Sequence, residues 1–201
     1  MEKLILFGGT FDPPHEGHCA LLKAAIETVQ PSLVLVMPTG IPPHKAAGHT
    51  DAALRLAMCT CFLPLFSPML LDETEILRAG KSYTLDTVHT LQQRYPKAAI
   101  YLPMGSDMLL YFQKWYGWQA LLASVTLVVQ CRKNEDIAPV RACVEELKKQ
   151  GGKILFTKGE IETISSTEIR EKAAHGQDIS ALVPPNVAQI IAQHHLYQEE
   201  N

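Results

Sequence analysis

Leu4-Ile5-Leu6-Phe7-Gly8-Gly9-Thr10-Phe11-Asp12-Pro13-Pro14-His15-Glu16-Gly17-His18 is the stretch on which the fold turns. Four apolar residues run without interruption and stop at a glycine pair. A continuous apolar run of this length suits a strand covered on both faces, as in a parallel sheet. Gly8-Gly9 lets the backbone turn sharply and approach a ligand closely. Pro13-Pro14 stiffens the loop, and Gly17-His18 opens a helix reaching about Thr28. In an α/β sheet, free N–H groups and the helix dipole face an anion at this junction.

The alternation continues downstream. Leu33-Val34-Leu35-Val36-Met37, Met69-Leu70-Leu71, Ala99-Ile100-Tyr101-Leu102, Val125-Thr126-Leu127-Val128-Val129 and Ile154-Leu155-Phe156 read as further strands. Helices are expected over Ala52 to Cys61, Thr84 to Arg94, Asp107 to Leu122, Val140 to Gln150, Ser166 to Ala174 and Pro185 to His194. This order predicts right-handed crossovers and an α/β, doubly wound, mostly parallel sheet. Residues 1–201 read as one domain, with a small C-terminal helical part at 164–196. Thr39 to Thr50 and Asp72 to Ser82 are long polar connections of the kind that carry ligand sites.

Composition narrows the ligand. The formal net charge is −3, so a whole-protein basic field for nucleic acid is absent. Positive charge for an anionic ligand must be local. No apolar run approaches the roughly 20 residues that span a bilayer, and Leu4 to Phe7 is too short for a signal-peptide core. No membrane partner is expected. The five cysteines are odd in number and scattered, which predicts a reduced, cytoplasmic setting. Cys59 and Cys61 lie in a helical-looking stretch and point about 200° apart. They read as small buried apolar residues rather than a metal or redox pair.

Three familiar patterns are excluded. No two of the twelve glycines are separated by a single residue, so the dinucleotide fingerprint cannot occur. The P-loop and the serine-hydrolase elbow are also absent. His15-x-x-His18 remains. Residues three apart at a helix start can face one side, where two imidazoles would donate to phosphate oxygens. On residues alone two other readings stay open: a metal pair with Asp12 and Glu16 nearby, or a histidine used as a helix cap or core filler. Ile164-Ser165-Ser166-Thr167-Glu168-Ile169-Arg170 is a second candidate. Ser165, Ser166 or Thr167 can cap a helix whose first N–H groups face an anion, and Arg170 offers a planar fork of donors from the next turn.

Gly8 to His18 resembles the signature of the nucleotidylyltransferase superfamily, and Ile164 to Arg170 resembles its I-S-S-T-x-I-R segment. Lys81-Ser82-Tyr83-Thr84-Leu85-Asp86-Thr87, Pro42-Pro43-His44-Lys45, Gly105-Ser106-Asp107 and Trp115-Tyr116 add a resemblance to bacterial nicotinate-nucleotide adenylyltransferases. It runs from Leu4 to about Leu196. Cys131-Arg132-Lys133 departs from the family, which more often continues from Arg into Pro-Gly; Arg132 keeps the charge.

The resemblance implies a Rossmann-like nucleotidylyltransferase fold and an enzyme that transfers AMP from ATP to nicotinate mononucleotide. The products would be deamido-NAD and pyrophosphate, in NAD biosynthesis. It implies catalytic roles for His15, His18 and Arg170. ATP contacts would come from Gly8, Gly9, Thr10, Phe11, His15, His18, Gly105, Asp107, Ile164, Ser166, Thr167 and Arg170. Mononucleotide contacts would come from Asp12, Lys45, Thr84, Trp115, Tyr116 and Arg132. Mg²⁺ would arrive with ATP rather than sit in a protein cage. On residues alone, Trp115 and Tyr116 also read as core or interfacial aromatics, and Thr84 as an N-cap. The rival readings are an adenylyltransferase for nicotinamide mononucleotide or phosphopantetheine, and a non-catalytic nucleotide-binding module. The oligomeric state is left open, a homo-oligomer included.

Overall fold

Strand β1 (Glu2–Gly9) is buried from Leu4 to Phe7 and lies in the middle of the sheet. The computed structural model describes residues 2–41, 50–160, 162 and 164–198. Among these, β2 (Leu33–Pro38), β3 (Met69–Leu71), β4 (Ala98–Gly105), β5 (Thr126–Gln130) and β6 (Lys153–Phe156) complete a six-stranded sheet. Every pairing is parallel, and the order is β3-β2-β1-β4-β5-β6. The chain winds outward from β1 to β3, then returns to place β4 on the other side of β1. The carboxyl ends of β1 and β4 therefore flank the crevice at which doubly wound sheets bind ligands.

Successive β1 side chains go to opposite faces. Leu4 and Leu6 join Leu35, Leu102 and Met104 under α4 (Thr84–Arg94), α5 (Ser106–Tyr111), α6 (Trp118–Ser124) and α7 (Ile137–Lys149). Ile5 and Phe7 join Val34 and Val36 under α1 (Glu16–Val29), through Leu22, Ala25 and Val29. A third cluster packs Met58 of α2 (Ala52–Met58) against Ile169 of α8 (Ser166–Ala174) and Val187 and Ile191 of α9 (Pro185–Gln193). That cluster brings the C-terminal helices back to the first loop. No helix among the described residues is long and apolar enough to cross a membrane.

Four local expectations need correcting. Gly8 and Gly9 continue β1, paired with Met37 and Pro38, and the left-handed residue is Phe11 at φ 51°. The glycines serve close approach instead: a Cβ on Gly9 would lie 2.9 Å from the Phe11 ring. The expected helix at Ala52 to Cys61 tightens into a 3-10 segment, Cys59–Leu65, which contains Pro64. The connection at Asp72 to Ser82 holds a short helix, α3 (Thr74–Leu77). The single helix expected from Asp107 to Leu122 is broken. A 3-10 turn, Phe112–Lys114, follows α5, and Gly117 at φ 60° starts α6. Apolar periodicity runs on through this break, so it conceals the turn. Gly117 also needs its missing side chain, since a Cβ there would meet Leu85 Cδ2 at 2.4 Å.

Gly117→Ala should cost about 2 kcal/mol or more, from left-handed strain plus the Leu85 clash. Gly176→Ala, left-handed at φ 65° with nothing within 4 Å of an added Cβ, should cost only about 1 kcal/mol. Urea denaturation of both variants reads the difference, and equal losses would refute the clash.

Candidate active site

The entry into α1 is built by two histidines. His15 is the N-cap, and its Nδ1 accepts from the His18 backbone N–H at 3.3 Å. His18 Nδ1 accepts from the His15 backbone N–H, also at 3.3 Å. This is the reciprocal geometry of a capping box, with imidazoles in the places usually held by Ser or Thr and Glu. The rings stack with centroids 3.6 Å apart, tilted by 28°. Because each Nδ1 accepts, the bonding pattern assigns the proton of each neutral ring to Nε2. The cap and the phosphate donor are thus compatible roles: Nδ1 makes the cap, and Nε2–H is the remaining donor.

Close packing holds the pair. A Cβ on Gly17 would lie 3.0 Å from His15 Nδ1, so glycine is what fits beneath the ring. The Phe11 ring meets His18 edge-on at 5.2 Å. His15 is 6% exposed, and burial pushes its pKa down from 6.5 to about 4, with the Arg132 charge adding to the effect. His18 is held well below the usual imidazole range by burial and then by His15. Both rings are neutral at pH 7.

The second motif reaches the same loop. Ser165 caps α8 by accepting from the Glu168 N–H at 3.1 Å. Ser166 Oγ donates to the Pro13 carbonyl at 2.9 Å, and Arg170 Nη1 donates to the Asp12 carbonyl at 2.7 Å. Arg170 Nη2 also donates to Thr167 Oγ1 at 3.1 Å. Ile164 sits beside Gly17, its Cβ 3.5 Å from where a Gly17 Cβ would be. Asp12 is buried, and one of its carboxylate oxygens accepts from Tyr197 at 2.7 Å.

Across the crevice, Gly105 ends β4 and Asp107 stands in the first turn of α5. A Cβ on Gly105 would lie 2.6 Å from Asp107 Oδ1. Arg132, after β5, pairs with Asp107 at 2.7 Å. Both side chains are more than a third exposed, so the pair is worth only about 0–1 kcal/mol and either partner is available to a ligand. Glu135 joins the two loops by accepting from Ser106 Oγ at 2.7 Å and from the Arg132 N–H at 3.0 Å.

The segments that carry Thr84 and Trp115-Tyr116 lie side by side, with Gly117 against Leu85, and make a second group. Tyr83 joins it, its ring 4.6 Å from that of Tyr116, which is 59% exposed. Trp115 is half-buried against Phe112, with ring centroids 5.6 Å apart. Thr84 is the first residue of α4, and Tyr83 occupies the cap position with no side-chain bond. Thr84 is therefore not the N-cap. Among the described residues, the ring contacts of this group are with Phe112 and within the group, whereas those of the histidine pair are with each other and with Phe11. Lys45 lies outside the described residues. No group of three or more His, Cys, Asp or Glu among the described residues is disposed to hold a metal ion. All five cysteines are free thiols.

Residue patterns alone missed Tyr83, Tyr197 and Arg55. Tyr83 stood inside a recognised segment and could have been named. Tyr197 lies beyond the last helix read from the residues and in no motif. Arg55 bonds only backbone carbonyls, which leave no mark in a sequence.

Comparison with known proteins gives the family. Residues 6–172 match the cytidylyltransferase-like family. A Neisseria meningitidis serogroup B protein described as "Probable nicotinate-nucleotide adenylyltransferase" is 36% identical, over 99% of this chain and 100% of its own. The chain belongs to the nicotinate-nucleotide adenylyltransferase family. A relative of the same description from Exiguobacterium sibiricum is 34% identical over 97% of this chain and 98% of its own. In fold, this family member is similar to Plasmodium falciparum nicotinic acid mononucleotide adenylyltransferase complexed with NaAD. The TM-score is 0.80 and the identity 20%, over 98% of both chains. A Vibrio parahaemolyticus structure gives a TM-score of 0.68 at 22% identity, over 100% of this chain and 98% of that one. The fold is the Rossmann-like nucleotidylyltransferase fold, and the chain is a nucleotidyltransferase.

The lowered His15 pKa sets a stability window. Between about pH 6.5 and 4 the unfolded imidazole is protonated while folded His15 stays neutral. The unfolded state then binds more protons, so stability should fall as pH drops through this range. NMR titration of the ligand-free protein should place the His15 midpoint near 4, and His15→Gln should flatten the pH dependence of urea unfolding. A midpoint between 6 and 7, roughly that of a free imidazole, would contradict the buried neutral ring.

Proposed function

We propose that this chain transfers AMP from ATP to nicotinate mononucleotide, yielding deamido-NAD and pyrophosphate. The observation that carries the reading is the neutral, mutually capped His15–His18 pair at the α1 N-terminus. Its loop is gripped by Ser166 and Arg170 of the second motif, in a family whose relatives bear this activity in their names.

The nucleophile is the 5′-phosphate of the mononucleotide. Its second pKa is about 6, so it is mostly dianionic at neutral pH and needs no protein base. An oxygen of that phosphate attacks the ATP α-phosphorus in line. The bond from the α-phosphorus to the bridging oxygen breaks, and pyrophosphate leaves with the electron pair. No covalent enzyme intermediate is required. The obstacle is mutual repulsion of two anions, so catalysis consists of positioning and electrostatic stabilisation.

The residues divide that work. His18 Nε2–H donates to the α-phosphate, with His15 beside it. Backbone groups of Gly8, Gly9, Thr10 and Phe11 approach the nucleotide. Arg170, Ser166, Thr167 and the backbone at Ile164 hold the phosphates that leave as pyrophosphate. Asp107 exchanges Arg132 for a ribose hydroxyl, and Arg132 turns its charge to phosphate. Asp12 borders the mononucleotide and shapes the loop through Tyr197. Mg²⁺ would come as part of the ATP substrate and would supply charge neutralisation on its phosphates. Trp115 stacks on the pyridine, while Thr84 and the backbone near Tyr116 meet the carboxylate. Donors placed for that carboxylate lose a partner when the ring carries an amide, which disfavours nicotinamide mononucleotide.

Pyrophosphate release measured with nicotinate mononucleotide, nicotinamide mononucleotide and phosphopantetheine under the same ATP and Mg²⁺ tests the assignment. Nicotinate mononucleotide should be the best acceptor; a clear preference for either of the others would overturn it. His18→Ala should lower kcat by about 10² or more, as loss of a charge-stabilising donor does. A near-normal kcat would remove His18 from the chemistry. Trp115→Ala should raise KM for the mononucleotide far more than KM for ATP, and equal effects would count against stacking.

A further inference from the structure

Arg55 is charged, only 3% exposed, and surrounded by backbone. Its Nη1 donates to the Thr10 carbonyl at 2.8 Å and to the Thr39 carbonyl at 2.7 Å. Its Nη2 donates to the Gly40 carbonyl at 3.3 Å, and its Nε to the Thr50 carbonyl at 3.3 Å. Burying a charge is costly unless it is hydrogen-bonded, and these bonds engage four of the five guanidinium N–H donors, with every nitrogen taking part. They do not neutralise it. None of the ion pairs among the described residues involves Arg55.

The four acceptors are not scattered. Thr10 follows β1 in the candidate nucleotide loop, and Thr39 and Gly40 follow β2. The Thr39 N–H donates back to the Gly9 carbonyl at 2.8 Å. Beyond Gly40 the contact passes onward: a Cβ there would lie 2.1 Å from the Glu75 carbonyl, and the Ser82 N–H donates to the Ile41 carbonyl at 2.9 Å. Ser82 leads directly into Tyr83 and Thr84. One guanidinium therefore anchors the loop beside the histidine pair and the strand end that supports the Tyr83–Tyr116 group.

We infer that Arg55 is a positioning residue for nucleotide binding. It holds the Thr10 carbonyl, and so the Gly9 to Phe11 backbone, against the β2 loop, and it leaves a fixed positive charge beneath an anion site. The inference rests on the adenylyl-transfer reading of that site. A planar fork bonds several carbonyls at once, whereas a lysine ammonium in the same place is a point donor. Arg55→Lys keeps the charge and loses the fork. Arg55→Gln keeps a short donor and loses the charge.

The test compares the full-length wild type, Arg55→Lys and Arg55→Gln by thermal unfolding, by calorimetric binding of ATP with Mg²⁺, and by steady-state kinetics. Arg55→Lys should stay folded at 25 °C, bind ATP about tenfold or more weakly per folded molecule, and lose at least about tenfold in kcat. Arg55→Gln should bind more weakly still, and its ATP affinity should depend less steeply on salt than that of the wild type. Variants that lose activity only in proportion to their unfolded fraction, with unchanged ATP affinity, would overturn the inference. So would Arg55→Lys with ATP affinity and kcat within about twofold of wild type, or one that is unfolded at 25 °C. A wild type that binds ATP but turns over no pyridine mononucleotide would end the proposed function while leaving the ATP comparison intact.

Discussion

The exchange of hydrogen bonds between His15 and His18 sets the terms for the rest of the site. The His18 N–H is shared with the His15 carbonyl at 2.9 Å, and each ring uses Nδ1 to accept from a backbone N–H at the start of α1. That bond also determines which nitrogen carries the proton. Burial then keeps the rings neutral, so two cations need not be held 3.6 Å apart. The cost is strict local sequence. Gly17 must leave room for the His15 ring, and Gly9 must leave room for Phe11, which in turn supports His18. A neutral donor in a desolvated setting is well suited to charge that develops on an adjacent phosphate.

Topology supplies what this local unit lacks. The reversal of strand order between β1 and β4 opens the crevice and faces the histidine loop toward Gly105, Asp107 and Arg132. The C-terminal helices return through the Met58, Ile169, Val187 and Ile191 cluster. Ser166 and Arg170 then clasp the carbonyls of Pro13 and Asp12. Backbone acceptors make this clasp sensitive to the course of the loop through Pro13 and to where α8 docks.

The Tyr83–Tyr116 group depends on a break. If 107–122 were one continuous helix, Trp115 and Tyr116 would follow its regular face. Gly117 in the left-handed region, seated against Leu85, turns them into a connection beside the start of α4. Tyr83 and Tyr116 then bring together two segments more than 30 residues apart. Arg55 works from below, where the ends of β1 and β2 share one buried cation.

Much of this was legible in the residues. The inner strands are buried on both faces and read as continuous apolar runs, and the more exposed edge strands β3 and β6 still keep short apolar runs, so all six could be read, and with them a parallel α/β sheet. The Gly-Gly to His18 loop stood out by its residue types, whereas the Ser-Ser-Thr cap with Arg170 reads alone as an ordinary helix start and gained meaning only beside it. Strand order, the break at Gly117 and the reach of Arg55 were not legible. Pairing order depends on how crossovers pack, a single left-handed residue leaves apolar periodicity undisturbed, and a side chain that binds carbonyls selects no particular partner residue. The sequence by itself determined the elements and the chemistry at their ends. Only the tertiary structure decided which ends meet, because that choice is made by packing between surfaces distant in the chain.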